Sequence, residues 1–173
     1  PMGMVEVLFP RRCVGCRKAG GYLCRTCRLK VRSVPVLLCS VCGRPAMAGK
    51  AHPRCLRPYA LDGLVSVFAY TGVVRQAIKT LKFRFVTALV EELAEFTTEE
   101  LRAQAEIIEF FKKNNFVLVP LPLHKVRERW RGFNQASVLG KAMAVQIGLG
   151  FEEEWLERVR PTASQAETKV GLS

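Results

Sequence analysis

Residues 116–135 read FVLVPLPLHKVRERWRGFNQ, and this stretch decides what kind of fold the larger part of the chain adopts. The apolar run from Phe116 to Leu121 predicts a buried strand. A loop is expected next, carrying Pro122, His124 and the cations Lys125, Arg127, Arg129 and Arg131. Gly132 and Phe133 lead into Asn134, a favourable N-cap, and into a helix over 134–147 that stops at Gly148. A strand, a basic loop and a helix N-terminus in succession make a natural phosphate site. Backbone N–H groups point outward there, the helix dipole favours an anion, and a guanidinium can hold two oxygens at once. Arg127, Arg131, Gly132, Asn134 and Gln135 are the candidate ligands.

Upstream of this stretch, LVSVFAY (64–70) reads as a second strand, Thr71-Gly72 as a turn and 73–82 as a helix. Val74, Ile78 and Leu81 form the apolar stripe of that helix, while Arg75, Lys79 and Lys82 line another face. Lys79 and Lys82 join the candidate phosphate ligands. Two acidic helices are expected at 87–96 and 98–113, the second capped by Thr97 or Thr98, and both serve most simply as cover for a sheet. Strands separated by helices imply an α/β architecture with a mostly parallel sheet and ligands at the strand carboxyl ends. Packing is the expected fate of Trp130 and Phe133, with stacking on bases the alternative. His124 has no acid or nucleophile at a motif spacing, which argues against a general base.

The first 58 residues are different. All seven cysteines fall between Cys13 and Cys55, with spacing C-x2-C-x7-C-x2-C and then C-x2-C-x9-H-x2-C. Each C-x2-C pair is a knuckle that aims two thiolates at one tetrahedral ion. Cys13, Cys16, Cys24 and Cys27 form one set, and Cys39, Cys42, His52 and Cys55 the other, giving two structural zinc ions. A crossed pairing of knuckles remains open at this point. An odd cysteine count and the lack of an export signal disfavour disulfides. A segment this short, with few large apolar residues, needs the metal to fold. Residues 1–58 hold twelve Lys/Arg against one acid, whereas 59–173 hold fifteen against fourteen. The basic character therefore belongs to the first module and points to a polyanion, with Arg11, Arg12, Arg17, Lys18, Arg25 and Arg28 as candidate phosphate-backbone contacts. No apolar run is long enough to cross a bilayer and no secretory leader is evident, so a cytoplasmic location is expected.

The wording of the central stretch adds a family. VPLPLHKVRERWRGFNQA resembles the signature of the ComF family of competence-associated proteins, and RGFNQ, beginning eight residues after VPLPL ends, is its most specific part. Tyr70-Thr71-Gly72 and Lys82-Phe83 match the family's tyrosine–glycine turn and later KF pair; Arg158, Arg160, Thr162 and Gln165 resemble its R-x-R-x-T-x-x-Q run. The resemblance spans nearly the whole chain. It implies a double zinc ribbon over 1–58 and a type I phosphoribosyltransferase-like α/β domain over 59–173. The implied role is handling single-stranded DNA during natural transformation, with a competence helicase or motor, or another DNA-handling protein, as partner. The alternatives are a phosphoribosyltransferase using phosphoribosyl pyrophosphate and magnesium, and a zinc-stabilised protein-docking adaptor. In the related enzymes a strand ending in two acids and a Thr/Gly-rich loop hold the phosphoribosyl pyrophosphate. No segment of this chain has that form, so the domain is expected to be truncated before that loop, with the catalytic residues unknown.

Overall fold

The computed structural model describes residues 10–34, 36–83 and 86–162. Gln165 lies outside them. The elements in chain order are α1 (Arg25–Arg28), two 3-10 turns (Met47–Gly49 and Pro53–Cys55), α2 (Gly72–Phe83), α3 (Thr87–Arg102), α4 (Ala105–Lys113), β1 (Val117–Leu118), α5 (Lys125–Arg131), α6 (Gln135–Ile147) and β2 (Gly150–Phe151). A zinc-ligand module rich in turns is followed by a mostly helical region with one small parallel sheet.

That sheet is smaller than expected. Val117 pairs with Gly150 and Leu118 with Phe151, in parallel, and no other strand joins them among the described residues. The expected strand from Phe116 to Leu121 shrinks to two residues because Pro120 and Pro122 have no N–H to place in a ladder. The stretch LVSVFAY is extended but takes no part in this sheet. It pairs backward with the cysteine-rich module, through a Ser33–Phe68 bridge, Val34 N–H to Val67 O (3.0 Å) and Ala69 N–H to Arg32 O (2.9 Å). Gly63 and Leu64 meet Lys50 and Gly49 in the same way. The backbone pairing of the first module thus runs past residue 58, the limit read from the sequence.

The helices obey their apolar spacing. α2 buries Val74, Ala77 and Leu81, and α3 buries Leu89, Val90, Leu93, Ala94, Phe96 and Leu101. The acidic pair breaks at Ala103–Gln104 and not at Thr97, so neither threonine is a cap. Thr98 is fully buried, and its hydroxyl donates to Glu95 O and Gln146 Oε1, which joins α3 to α6. The principal cluster joins Leu23 of the cysteine-rich module to Ala77, Leu81, Leu89, Val90, Leu93 and Phe96.

The loop expected after Leu121 contains α5. Residues 125–131 carry good helix formers, and His124 Nδ1 accepts from Val126 N–H at 3.3 Å to open the helix. Gly132 closes it at φ 83°, its N–H reaching Glu128 O at 2.7 Å. Trp130, expected to pack, is 74% exposed.

Candidate metal centres and basic cleft

Both donor sets assemble in sequential pairing. Cys13, Cys16, Cys24 and Cys27 place their sulfurs within 4.8 Å of one another, as do the ligand atoms of Cys39, Cys42, His52 and Cys55. The crossed pairing is thereby removed. A tetrahedral zinc with Zn–S near 2.3 Å has S···S edges of about 3.8 Å and S···N edges of about 3.6 Å. Cys16 Sγ stands 3.6 Å from Cys24 Sγ, and Cys42 Sγ stands 3.4 Å from His52 Nδ1. His52 Nε2 lies 3.0 Å from Pro45 O, which assigns the ring proton to Nε2 and leaves Nδ1 for the metal. These are two tetrahedral clusters that fit two zinc ions, each with four protein ligands and no open position for chemistry.

The two knuckles share one backbone design. Cys13 N–H donates to Lys18 O (2.9 Å) and Arg17 N–H to Cys13 O (2.8 Å). Twenty-six residues on, Cys39 N–H donates to Arg44 O (2.9 Å) and Gly43 N–H to Cys39 O (3.0 Å). Arg12–Ala19 and Leu38–Pro45 bridge at corresponding positions. The second half of each site is a turn, closed by Cys27 N–H to Cys24 O (2.9 Å) and by Cys55 N–H to His52 O (2.7 Å). Thiol acidity splits within each cluster. For Cys13, burial works upward but is outweighed by the backbone N–H groups of Cys16, Cys24 and Gly15, and its pKa falls to about 6. N–H groups of Cys42, His52 and Val41 likewise bring Cys39 to about 6. Burial, followed by the neighbouring sulfurs, pushes Cys27 up to about 12 and Cys55 up to about 11.

The acidic face of α3 fastens the first cluster in place, a role the sequence reading did not assign. Glu92 Oε1 and Oε2 accept the backbone N–H groups of Tyr22 (3.1 Å) and Leu23 (2.7 Å). Arg28 donates to Leu23 O (3.2 Å) and Glu92 O (3.5 Å), approaches Glu95 (3.7 Å) and Glu99 (3.6 Å), and lies over the Phe96 ring at 5.3 Å. Its guanidinium joins module to helix and is only partly exposed. Arg11, Arg12, Arg17, Lys18 and Arg25 are exposed. The signal for this contact was present as glutamates at 92, 95 and 99, one helix face at i, i+3 and i+7.

The phosphate candidates do not gather in one place. Lys79 lines a cleft of about 920 Å³ between α2 and the first knuckle, together with Arg12 and Arg17. Lys82 is half-buried elsewhere on the same helix. Arg127 and Arg131 lie one turn apart on α5, where burial and then the charge of Arg127 hold the Arg131 guanidinium below its ordinary pKa. Arg127 donates to Thr162 O at 2.8 Å. Asn134 is occupied on both sides, accepting from Ala136 N–H (3.0 Å) and donating to Leu121 O (3.1 Å), so it caps α6 and ties it to the end of the β1 segment. Arg131 Nε and Gln135 Nε2 are buried donors with no acceptor among the described residues.

A double zinc ribbon family matches residues 4–56. The chain is 33% identical over 157 residues to DNA utilization protein YhgH of Salmonella typhimurium, covering 87% of this chain and 66% of the relative. It is 30% identical over 140 residues to competence protein ComFC of Bacillus subtilis, covering 70% of this chain and 51% of that protein. The chain thus spans just under two thirds and about half the length of these curated relatives. No solved structure matches it. No helix among the described residues is long and apolar enough to cross a membrane.

Proposed function

We propose a function from one premise, that the chain belongs to the ComF family. Its relatives are named for DNA utilization and for competence, and the reading that best joins those names to this surface is the handling of single-stranded DNA during DNA uptake. The protein works in the cytoplasm beside a competence helicase or another DNA-handling motor. The observation that carries the reading is the exposed set Arg11, Arg12, Arg17, Lys18 and Arg25 around a zinc-held knuckle. Cations on a rigid turn suit sequence-independent contact with phosphates, because no base edge has to be read. Binding of a labelled oligothymidylate by the zinc-loaded protein tests this. Affinity falls steeply with added salt, by about 0.7 in the log–log slope for each phosphate neutralised. An affinity indifferent to salt, or none at all, would move the function to a protein-docking adaptor.

A second reading rests on a different observation. Arg131 Nε at the end of α5 and Gln135 Nε2 at the start of α6 are buried with no acceptor among the described residues, and a second arginine, Arg127, lies one turn back on α5. A phosphate or pyrophosphate group would supply the missing acceptors and offset the charge of Arg127 and Arg131. Gly132 would set the turn between them, and Asn134 would hold the helix start. The ligand class is phosphoribosyl pyrophosphate with magnesium, in the 59–173 module. Saturable binding of that compound, lost in Arg131→Ala, supports this reading; saturation that Arg131→Ala leaves unchanged counts against it.

A further inference from the structure

The two zinc knuckles share a backbone but not a surface, and the difference falls in one place. Where the first has Arg12 and Arg17, the second has Leu38 and Gly43 at the corresponding positions. Arg17 sits at φ 65°, a left-handed conformation that suits the glycine of the second knuckle and strains an arginine. Both arginines line the cleft against α2. The facing side of α2 presents Gln76, Lys79, Thr80 and Phe83, spaced i, i+3, i+4 and i+7, while its other face is buried in the core. Phe83 is 72% exposed at the helix end, and Tyr22 lines the opposite wall. The described lining holds three cations, two aromatic rings and no carboxylate.

We infer that this cleft is the track for single-stranded DNA. Arg12, Arg17 and Lys79 take successive phosphates, and Phe83 and Tyr22 take bases by stacking. The inference deepens the nucleic-acid reading above and rests on it. Three features argue for a strand over a bare anion or an acidic protein segment. An aromatic ring left exposed beside cations is what sequence-tolerant stacking requires. The cations come from both walls, as they must to follow a backbone along a groove. Gly15 at the floor leaves no room for a Cβ, which would meet Cys27 Sγ and Val73 Cγ2 at 2.9 Å, so the wall carrying Arg17 is seated firmly on the helix.

The experiment uses the zinc-loaded chain, a fluorescent oligothymidylate, the variants Arg17→Gly, Lys79→Gln and Phe83→Ala, and Arg44→Gln on the second knuckle for comparison. The expected result is a log–log salt slope of about −2 from three phosphate contacts, falling by about 0.7 in Lys79→Gln. Phe83→Ala weakens binding about tenfold, and Arg17→Gly weakens it although the glycine relieves the strained turn. Arg44→Gln changes it less than either. An iodouracil-bearing oligonucleotide crosslinks to Tyr22 or Phe83. Failure of the unaltered protein to bind at low salt sinks both the nucleic-acid reading and the cleft. Binding that Arg44→Gln weakens as much as Arg17→Gly, with no crosslink to either ring, keeps the reading and overturns the cleft. Equal binding of polyglutamate, indifferent to Phe83→Ala, assigns the cleft to an acidic protein segment and overturns the inference.

Discussion

Arg17 and Gly43 occupy the same point of the same turn, and only one of them fits it without strain. A non-glycine residue in the left-handed region costs about 1–2 kcal/mol, whereas glycine enters it freely. With φ 65° at Arg17 and 68° at Gly43, Arg17→Gly should raise the melting temperature of the zinc-loaded protein by about 2–4 °C. Gly43→Ala should lower it by a similar amount. Calorimetry at saturating zinc reads both, and two unchanged melts would show that the turn is not strained. His52 offers a second test at this scale. Because Nε2 is held on Pro45 O, His52→Ala removes one of four donors from the second cluster only. Bound zinc should fall from two ions per chain to one by metal analysis, with the first cluster intact. The ligands themselves are legible in the sequence because a chelating knuckle is a local object, defined by two intervening residues. The role of Arg28 is not, because its partners lie on α3, more than sixty residues away.

The elements differ in how much of their purpose their own sequence carries. α6 is legible from Asn134 to Gly148, since its cap, apolar spacing and stop are all local. α5 is hidden because none of its seven residues is buried, so it has no apolar stripe to recognise. The break between α3 and α4 is missed because Thr98 reads as a cap until its buried hydroxyl finds Gln146. The stretch LVSVFAY is rightly extended but wrongly assigned a sheet, because alternation reports exposure and not the identity of the pairing partner. The anion candidates near α6 are legible as types and not as an assembly, since Lys79 faces the first knuckle. α3 deserves its acidity for a physical reason: the Glu92 carboxylate satisfies two backbone N–H groups that the turn at Tyr22–Leu23 leaves open. Glu92→Gln keeps the shape, but its NH2 cannot accept, so one of the two bonds is lost and the other loses its charge, which should cost about 1–3 kcal/mol. Hydrogen exchange should accelerate at the Tyr22 and Leu23 amides. Exchange unchanged at those two positions would mean that the carboxylate does not hold the turn.

At the scale of the whole molecule, the metal sites and the helices share one core, because Leu23 is buried with Leu81, Leu89, Leu93 and Phe96 between two zinc-binding turns and two helices. Zinc removal should therefore reach beyond residues 1–58. Once Leu23 leaves the cluster, the apolar faces of α2 and α3 lose part of their cover, and a buried leucine is worth about 2 kcal/mol. Chelation should lower the helical circular dichroism and the melting temperature together; a 59–173 region that melts unchanged without zinc would show that the two modules are energetically separate. The same equilibrium depends on pH, and the direction follows from the thiols. Zinc takes thiolates, so protons compete with it wherever the metal-free thiol is protonated. Cys27 at about 12 and Cys55 at about 11 hold their protons through neutral pH, so each cluster must release at least one on loading. Cys13 and Cys39, at about 6, are mostly ionised at pH 7 and add to the competition only as the pH falls through that value. Zinc affinity should then rise with pH by at least about tenfold per unit per site above pH 7, and more steeply below pH 6, where the proton of Cys13 or Cys39 joins. Chelator competition at pH 5.5, 6.5 and 7.5 measures the slope, and titration calorimetry in buffers of different ionisation enthalpy counts the protons. A flat affinity across that range would mean that all the cysteine ligands are already thiolates before zinc arrives, and that the buried sulfurs are poised by the backbone alone.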